Sequence, residues 1–533
     1  MTAEIAQTPQ SANSADSAQS ADSAQTVRAL IDRAVATAPQ AVYALATETG
    51  AALRYADLPR QCRRVAALLH RHGLAAGDTV ALVMPNGLGT LQLLLGAMRA
   101  GICVNPVNLL SQADAMRHVL THGDCRLVLA APDWVDRVRA LVPHLAVLAA
   151  DPDGLHAPDD PLDADAGSDA DTPAPDPRSV ALLMYTSGTT GLPKGVMLTQ
   201  ANLAANAQAV AAEHALSAQD RVLGVLPLYH INAFVVTMLA PLASAGSVAL
   251  APRFSAARFW GQALGSGCTW LNVVPTIIAF LLESAERSDS ADSTSPAPGQ
   301  AGGAARIRFC RSASSALPPA HLRAFEARFG IGVIETMGLT ETAAPSFSNP
   351  LDPAARKLGA VGRASGGQAC VTDAQGRPVA DGSTGEILIR GPQVMRGYYK
   401  QPQASAEAFT ADGWLRTGDL GHRDADGFYF ITGRIKELII KGGENIAPRE
   451  IDEALLRHPA VLDAAAVGIP DARYGQEILA CVVLRDGMAC SEADLLAFAE
   501  LLLGRFKTPR RIRFLADLPR GPSGKVQRRR LLD

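Results

Sequence analysis

The chain has 533 residues, of which 48% are hydrophobic and 19% charged, and its formal net charge is −3. This length exceeds one ordinary domain and suffices for two or three domains with real cores. The charge balance gives no electrostatic bias towards nucleic acid or an anionic membrane, so neither is an expected partner. No uninterrupted apolar run approaches the roughly 20 residues that span a bilayer.

The N-terminal segment, residues 1–27, is rich in Ser, Ala, Asp and Gln and holds no Lys or Arg. It lacks the apolar stretch of a signal peptide, so it predicts a disordered tail and not a targeting signal. The eight cysteines are scattered without a C-x-x-C pair. They indicate reduced core thiols in a cytoplasmic protein, and not a disulfide or zinc framework.

From about residue 28, strand patterns alternate with helical patterns. Strands are predicted at 78–84, 125–130 and 180–184, and helices at 88–101 and 111–122, the second opening with a Ser111-Gln-Ala-Asp114 capping box. This alternation predicts parallel α/β sheets. Residues 151–177, with nine aspartates, and the Ser/Asp/Gly/Pro-rich residues 285–304 interrupt the pattern. Both predict solvated surface loops.

A compositional boundary lies near Thr432-Gly-Arg434. Beyond it the pattern predicts a helix at 448–457 opening with Pro, strands at 461–469 and 478–484, and a helix at 492–503. About 100 residues of this kind suffice for a small α+β domain. The predicted fold class is therefore α/β, with a tail (1–27), a large N-terminal domain of layered α/β sheets (28–432) and a small α+β C-terminal domain (433–533).

A dense cluster of hydroxyls and glycines follows the strand at 180–184, in Tyr185-Thr-Ser-Gly-Thr-Thr-Gly-Leu-Pro-Lys-Gly195. Glycines let the backbone approach an anion, to which N–H groups, hydroxyls and a lysine donate. The spacing differs from a Walker A loop, because Lys194 is followed by Gly195. The segment predicts an anion-binding loop; the alternative is an ordinary Gly/Thr-rich surface turn.

Four later motifs accompany this loop in a defined order. They are Glu335-Thr-Met-Gly-Leu-Thr-Glu341, Arg416-Thr-Gly-Asp-Leu-Gly421, Gly433-Arg-Ile-Lys-Glu-Leu-Ile-Ile-Lys-Gly-Gly-Glu-Asn445 and Pro519-Arg-Gly-Pro-Ser-Gly-Lys525. From about residue 28 to the C-terminus, the chain resembles the adenylate-forming superfamily of acyl-CoA synthetases, luciferases and peptide-synthetase adenylation domains. The resemblance implies an acid–CoA ligase that uses ATP, CoA and Mg²⁺, forms an acyl-adenylate and then a thioester, and has its C-terminal domain as a mobile lid.

The resemblance assigns most of the nucleotide site. The implied ATP-binding residues are Thr186, Ser187, Gly188, Thr189, Thr190 and Lys194 at the phosphates, Thr340 at the α-phosphate, Asp419 and Arg434 at the ribose, and Ser315, Ala316, Glu335, Thr336 and Met337 at the adenine. Glu341 is the predicted Mg²⁺ ligand, because this cation favours one carboxylate plus phosphate oxygens. Met337 replaces an aromatic residue common in the family; it can still cover a purine, with weaker ATP binding. The alternatives are a helix-capping Glu341 and an ordinary Asp419–Arg434 ion pair.

Three positions of the C-terminal domain are assigned in the same way. Lys525 is implied to bridge the acid carboxylate and the α-phosphate during adenylation; without the resemblance, the following Val-Gln-Arg-Arg-Arg530 indicates a basic, solvated tail. Lys436 matches the hinge of the lid. Lys441, Gly442 and Gly443 match the segment that lines the pantetheine tunnel of CoA, and a hairpin turn at the two glycines is compatible with this role.

The acid pocket is implied by a branch of the superfamily. His230 matches the gate of the acyl pocket, and Pro252-Arg-Phe-Ser-Ala256, Arg311-Ser-Ala-Ser-Ser-Ala-Leu-Pro318 and Ser348-Asn-Pro-Leu351 resemble the oxalyl-CoA-synthetase-like enzymes of small acids. Asn232 and Ala344 stand where oxalate-type members carry histidines, which argues against oxalate. Arg253, Arg311, Asn232 and Ser312 are the predicted donors to a second anionic group, unless both arginines form structural ion pairs facing away. Sulfoacetate and malonate fit, sulfoacetate slightly better, because its tetrahedral sulfonate needs more room.

Three other functions remain open. They are a CoA ligase for a monoanionic fatty or aromatic acid, a stand-alone adenylation enzyme acting on a carrier protein, and an inactive nucleotide sensor. A peptide-synthetase module is expected to continue into a phosphopantetheine-attachment segment, whereas this sequence ends at Asp533. An inactive sensor is expected to lack Lys525 or Glu341, and both are present. The sequence predicts no oligomeric state.

Overall fold

The computed structural model describes residues 26–154, 173–186, 193–290, 306–521 and 526–532, without the side chains of 286–290. Its helices are α1 (Val27–Thr37), α2 (Leu58–Arg71), α3 (Leu88–Arg99), α4 (Ala113–His122), α5 (Val135–Leu141), α6 (Gln200–Glu213), α7 (Ala240–Ser244), α8 (Ala256–Gly265), α9 (Pro275–Ser290), α10 (Pro319–Phe329), α11 (Pro402–Ala408), α12 (Pro448–Leu455) and α13 (Glu492–Lys507).

Strands occur along the whole described chain. They are β1 (Val42–Ala46), β2 (Ala52–Arg54), β3 (Thr79–Val83), β4 (Cys103–Pro106), β5 (Cys125–Ala130), β6 (Ala146–Ala149), β7 (Val180–Thr186), β8 (Lys194–Thr199), β9 (Arg221–Gly224), β10 (Ser247–Leu250), β11 (Trp270–Val273), β12 (Phe309–Ser312), β13 (Val333–Leu339), β14 (Ala344–Ser348), β15 (Arg363–Ala364), β16 (Gln368–Thr372), β17 (Gly385–Arg390), β18 (Gly397–Tyr398), β19 (Leu415–Arg423), β20 (Tyr429–Arg434), β21 (Ile439–Lys441), β22 (Glu444–Ile446), β23 (Val461–Asp471), β24 (Gly475–Leu484) and β25 (Arg511–Phe514).

The described strands form four sheets. One has nine strands in the order β15-β14-β13-β12-β11-β9-β10-β1-β2, and one has seven in the order β18-β8-β7-β4-β3-β5-β6. The central pairs of both are parallel, such as β12 with β13 and β3 with β4. Both edge strands of the nine-stranded sheet and β18 of the seven-stranded sheet pair antiparallel, whereas the other edge strand, β6, pairs parallel with β5. The other two are a four-stranded sheet, β16-β17-β19-β20, and a sheet of β22-β21-β24-β23 with β25 beside β24. The predicted α/β fold class is confirmed.

The main apolar core lies around α3. This helix is buried at every residue and contacts β4 of the seven-stranded sheet and β1 of the nine-stranded sheet. A helix that is apolar on all sides is stable only when it is enclosed, which explains its run of leucines. At Gly96 a Cβ atom would come within 2.5 Å of Val65 Cβ, so the close packing of α2 on α3 requires glycine there.

The end of the chain folds around its own core. All five strands of the last sheet come after residue 438, and α12 and α13 pack on it around Ile451, Leu455, Val461 and Leu495. The helices and strands predicted here are confirmed, with shifted ends. Gly442 and Gly443 form the two-residue turn between β21 and β22 with φ of 58° and 86°, as a type I′ hairpin requires.

Three local predictions need correction. The capping box at Ser111 is wrong: α4 begins at Ala113 after Gln112, and the Asp114 carboxylate pairs with Arg117 at 2.6 Å instead of capping the helix. The tail ends earlier than predicted, because Thr26 caps α1 and Val27 is fully buried. The loop predicted from residue 285 begins as helix, since α9 continues to Ser290.

Other predictions are only partly covered by the described residues. Residues 1–25 of the predicted tail, 155–172 of the first insert and 291–304 of the second lie outside them. All eight cysteines are free; six are buried and Cys370 and Cys490 are half-buried. Among the helices that the structure describes, none is both long and apolar enough to cross a bilayer.

Candidate active site

The predicted phosphate loop connects two paired strands. Thr186 at the end of β7 faces Lys194 at the start of β8, so both lie at the base of the loop. Two histidines of α4 contact residues on either side of this loop. His122 Nδ1 lies 2.7 Å from the Tyr185 hydroxyl, and His118 Nε2 lies 3.1 Å from the Pro193 carbonyl oxygen. Ser187, Gly188, Thr189 and Thr190, predicted to contact phosphate, lie outside the described residues.

The predicted metal ligand lies beside this loop. Glu341 stands in a short 3₁₀ turn, Thr340–Thr342, directly after β13. Its Oε1 accepts a hydrogen bond of 2.9 Å from the Tyr398 hydroxyl, and Lys194 Nζ lies 4.9 Å from the centre of the Tyr398 ring. Thr340 is half-exposed beside Glu341. The structure therefore brings Lys194, Thr340 and Glu341 to one region, and their binding of phosphate and metal stays a prediction.

The predicted adenine contacts come from adjacent strands. Glu335 in β13 is the ladder partner of Ser312 in β12, and its carboxylate accepts a hydrogen bond of 3.2 Å from the Leu317 N–H. That bond draws the half-exposed Ser315 and the exposed Ala316 to β13. Burial raises the pKa of Glu335 to about 7. Two further predicted contacts follow it: Thr336 donates to the Ser312 carbonyl, and Met337 is half-buried against the cluster containing Phe347 and Tyr429.

The predicted ribose acceptor is ion-paired. Asp419 in β19 is the ladder partner of Arg434 in β20, and Arg434 Nε lies 2.6 Å from Asp419 Oδ1. Burial acts to lower the pKa of Arg434, but the carboxylates of Asp419 and Glu437 outweigh it and raise this pKa. The alternative of an ion pair is thus what the structure shows, and binding of a ribose stays a prediction.

A buried polar cluster lies where the acid pocket is predicted. Arg311 Nη1 donates to Asn232 Oδ1 at 2.7 Å and to Asn272 Oδ1 at 2.8 Å. The two asparagine amides extend the cluster. Asn272 Nδ2 donates to Thr237 Oγ1 at 3.0 Å, and Asn232 Nδ2 donates to Ser314 Oγ at 3.4 Å. Asn232 opens a helical segment, Asn232–Leu239, that ends with a wide i→i+5 bond from Ala240 to Val235; such π-type turns are frequent at functional sites.

Arg311 is a buried cation that faces no carboxylate among the described residues. Its side chain is 1% exposed, and burial lowers its pKa to about 9. In the described part of the chain its Nε has no hydrogen-bond partner. The nearby His214 is kept neutral, since burial and the charge of Arg311 lower its pKa to about 3. The cluster therefore holds one positive charge on neutral amide oxygens.

The other predicted pocket residues differ in position. Arg253 is exposed and makes no contact with the cluster, so the structure does not bring it to Arg311. Ser312 is fully buried, but it follows Arg311 along β12, and successive side chains of a strand point to opposite faces. His230 is half-exposed two residues before Asn232, and Ala344 is buried with a φ of 98°.

The structure describes only some of the residues that were assigned roles in the C-terminal domain. Lys436 is exposed in a single 3₁₀ turn, Ile435–Glu437, between β20 and β21. Lys441 is buried, with Nζ at 2.9 Å from Glu477 Oε2 and close to the rings of Tyr474 and Phe506, whereas Gly442 and Gly443 are exposed.

Lys525 lies outside the described residues. The chain on either side of it is anchored by two ion pairs, Arg520 with Asp463 and Arg528 with Asp452.

Sequence reasoning missed three contributors to these sites, namely Tyr398, Asn272 and Thr237. Each acts through a partner that is distant along the chain, and the only local signal was a polar residue, Asn272, inside the apolar strand β11. Among the described residues, no group of three or more His, Cys, Asp or Glu side chains could hold a metal ion.

Known proteins share both the sequence and the fold. A family model described as AMP-binding enzyme matches residues 31–399, and one described as AMP-binding enzyme C-terminal domain matches residues 450–525. Sulfoacetate–CoA ligase of Cupriavidus necator is 55% identical over 95% of this chain and 97% of that protein. Oxalate–CoA ligase of Arabidopsis thaliana is 35% identical over 88% of this chain and 90% of that protein.

The solved structures agree with this assignment. The ATP-bound crystal structure of MatB from Rhodopseudomonas palustris has a TM-score of 0.85 and 32% identity, covering 95% of this chain and 98% of that one. The family match spans more than half of the chain and includes the β7–β8 strand pair, Glu341 and Arg311. From sequence and fold together, this chain belongs to the family of AMP-binding enzymes.

Proposed function

We propose that this protein is an ATP-dependent acid–CoA ligase whose substrate is a short acid with a second anionic group, with sulfoacetate as the best candidate. The choice of acid rests on one observation: Arg311 is a buried cation that, among the described residues, is bound only to neutral amides. The 55% identity with the sulfoacetate–CoA ligase of C. necator supports the same acid.

The reaction explains the kinds of residue at the site. A carboxylate is a poor acyl donor, so one of its oxygens first bonds to the α-phosphorus of ATP while the bond to pyrophosphate breaks. The CoA sulfur then bonds to the acyl carbon, its proton leaves to water, and AMP departs. Lys194 and Thr186 are suited to bind the phosphates, because this chemistry depends mainly on positioning and on neutralising charge.

Mg²⁺ fits the residues present. Glu341 offers one hard carboxylate beside Thr340 and Lys194, and this cation is commonly bound by one or two carboxylates with substrate phosphates and water. When bound, the metal supplies positive charge that neutralises phosphate oxygens. The protein's own part is to hold Glu341 in place and to keep Lys194 unpaired with any carboxylate among the described residues.

The polar cluster fits a sulfonate. Leaving a guanidinium in an apolar interior costs several kcal/mol, which a bound anion offsets. A sulfonate has three acceptor oxygens, so it can accept from Arg311 and from neighbouring neutral donors such as Ser314. Asn232, which holds Arg311, lies two residues after the predicted gate His230, and this links the cluster to the predicted acyl site.

The small C-terminal unit, residues 433–533, is proposed to act as a mobile lid on residues 28–432. Lys436 lies in the short turn Ile435–Glu437 near the start of this unit, and Lys525 lies near its end. Because the Lys441 charge is already paired with Glu477, contact with the pantetheine arm is assigned to the exposed glycines, Gly442 and Gly443.

A comparison of five acids with ATP, Mg²⁺ and CoA tests this function. Thioester and AMP would be measured for sulfoacetate, malonate, oxalate, butyrate and benzoate. We expect kcat/KM to be highest for sulfoacetate and at least about 100-fold lower for the two monoanionic acids, because they leave a buried donor unpaired. Faster turnover of butyrate or benzoate would replace the proposal with a general acid–CoA ligase. Pyrophosphate exchange without thioester, followed by acyl transfer to a holo-carrier protein, would support a stand-alone adenylation enzyme.

A further inference from the structure

One tyrosine contacts both charged groups of the predicted phosphate and metal site. The Tyr398 hydroxyl donates to Glu341 Oε1 at 2.9 Å, while Lys194 Nζ lies over the face of the same ring, 4.9 Å from its centre. The Tyr398 side chain is half-buried. The order of contacts is therefore ammonium, ring, hydroxyl, carboxylate.

This arrangement keeps the two opposite charges apart. Lys194 and Glu341 form no ion pair with each other in the described structure, although both contact Tyr398. A ring face attracts an ammonium without neutralising it, so the Lys194 side chain remains available to phosphate. The Tyr398 hydroxyl donates to Oε1 of Glu341, which leaves Oε2 available to a cation.

The backbone fixes Tyr398 relative to both partners. Tyr398 in β18 is the ladder partner of Val196 in β8, the strand that begins with Lys194. On the other side, the Met395 N–H donates to the Glu341 carbonyl at 2.8 Å. The ring is therefore held by the strand that carries the lysine and by the turn that carries the carboxylate.

We propose that Tyr398 is a positioning residue for magnesium–ATP, which holds Glu341 for the cation and Lys194 for the phosphates and prevents the two from pairing. The proposal rests on the function proposed above for Lys194 and Glu341. It adds a residue that the five sequence motifs do not contain.

Tyr398→Phe tests the hydroxyl alone, because it keeps the ring beneath Lys194. ATP binding would be measured by titration calorimetry in excess Mg²⁺ and again in EDTA. We expect about tenfold weaker binding in Mg²⁺, the loss that follows from removing one hydrogen bond to a charged group, and a smaller loss in EDTA. The matched control is Tyr399→Phe, which removes the neighbouring hydroxyl from Asp124, 2.7 Å away, and should leave both affinities unchanged.

Two further variants separate positioning from packing. Tyr398→Leu also removes the ring, so it should weaken ATP binding in EDTA as well. If the hydroxyl acts through the carboxylate, Glu341→Gln and the double variant Tyr398→Phe/Glu341→Gln should bind ATP equally in Mg²⁺. Additive losses in the double variant would overturn the proposal.

The controls distinguish the remaining outcomes. Equal losses for Tyr398→Phe in Mg²⁺ and EDTA, no loss at all, or a Mg²⁺-specific loss in Tyr399→Phe would each contradict the positioning role. Failure of the wild-type protein to bind ATP or to exchange pyrophosphate would instead refute the proposed function itself.

Discussion

Asp419 and Arg434 face each other across the β19–β20 pair, and their ion pair joins the predicted ribose site to the chain leading into the hinge. Asp419 is 2% exposed, and Arg434 lies two residues before Lys436. A ribose whose hydroxyls donate hydrogen bonds to Asp419 must therefore share this carboxylate with Arg434. Binding of nucleotide and the position of the lid are thus expected to influence each other.

Removing the arginine tests this relationship. We expect Arg434→Gln to lower the free energy of unfolding by about 1–3 kcal/mol, because it removes an ion pair of the buried Asp419 carboxylate, although water screens part of this pair. The KM for ATP in pyrophosphate exchange should rise. Urea denaturation and exchange kinetics measure the two effects. Arg416→Gln, which breaks a more exposed pair with Glu386, is the control and should change neither quantity appreciably.

Substitution of Lys525 should affect the two half-reactions differently. Because this lysine is predicted to act only while the carboxylate attacks ATP, Lys525→Ala should abolish adenylate formation and largely spare thioester formation from supplied acyl-adenylate. Pyrophosphate exchange and a thioester assay measure the two steps. Lys507→Ala, on the same domain but paired with Glu450, is the control. Equal loss in both steps would mean that Lys525 is structural.

The hinge is tested by fixing the backbone at Lys436, whose side chain is exposed. Proline locks φ near −65°, so Lys436→Pro should trap one lid position. We expect pyrophosphate exchange to persist while CoA thioester production falls sharply. Lys436→Ala removes the same side chain without fixing φ and should retain turnover. Unchanged thioester production in the proline variant would make the lid a static cover.

Arg311 should determine the choice of acid. Arg311→Met keeps much of the volume and removes the charge, so kcat/KM for sulfoacetate should fall about 100-fold or more, with little change for butyrate. The free energy of unfolding should stay constant or rise, because an uncompensated buried cation is lost. Arg311→Lys keeps the charge but loses the planar guanidinium with its paired donors. Its kcat/KM for sulfoacetate should lie between those of the wild type and Arg311→Met. Equal losses for both acids would assign Arg311 to structure alone.

Glu335 should make stability depend on pH. Burial raises its pKa from 4.5 to about 7, so its contribution to stability is fully present below about pH 4.5 and is lost as pH rises through 7. Glu335→Gln cannot ionise and keeps an acceptor for Leu317 N–H. The unfolding free energy of this variant, relative to wild type, should therefore increase by up to about 3 kcal/mol between pH 4.5 and 8. Urea denaturation across this range measures it, with exposed Glu444→Gln as a control that should show no such trend.

Sequence patterns predicted best what is decided locally. The strand Cys125–Ala130 and the Gly442–Gly443 turn were predictable, because apolar runs and paired glycines determine them within a few residues. The Ser111 capping box failed because α4 begins at Ala113 with Gln112 as its N-cap residue, so Ser111 lies one residue before the cap.

Contacts between distant segments were beyond such patterns. Arg311 meets Asn232 over 79 residues, and Tyr398 meets Glu341 over 57. A polar residue in an apolar strand indicates that a polar partner exists but not which residue it is. Conversely, Arg253 lies in a segment that resembles the family branch, yet the structure places it on the surface. The family resemblance supplied Arg311 and Glu341, and only the fold supplied Asn272, Thr237 and Tyr398.

The place of β1 in the nine-stranded sheet has a consequence for how the chain is made. Ala44 is the ladder partner of Val248, so the first strand must await a neighbour roughly 200 residues later. At ordinary rates of synthesis this delay is roughly 10–40 s, during which β1 and β2 have no sheet to join. Late closure of distant strand pairs slows folding and prolongs exposure of apolar strand edges. The nascent chain is therefore most vulnerable to aggregation before β9 and β10 leave the ribosome.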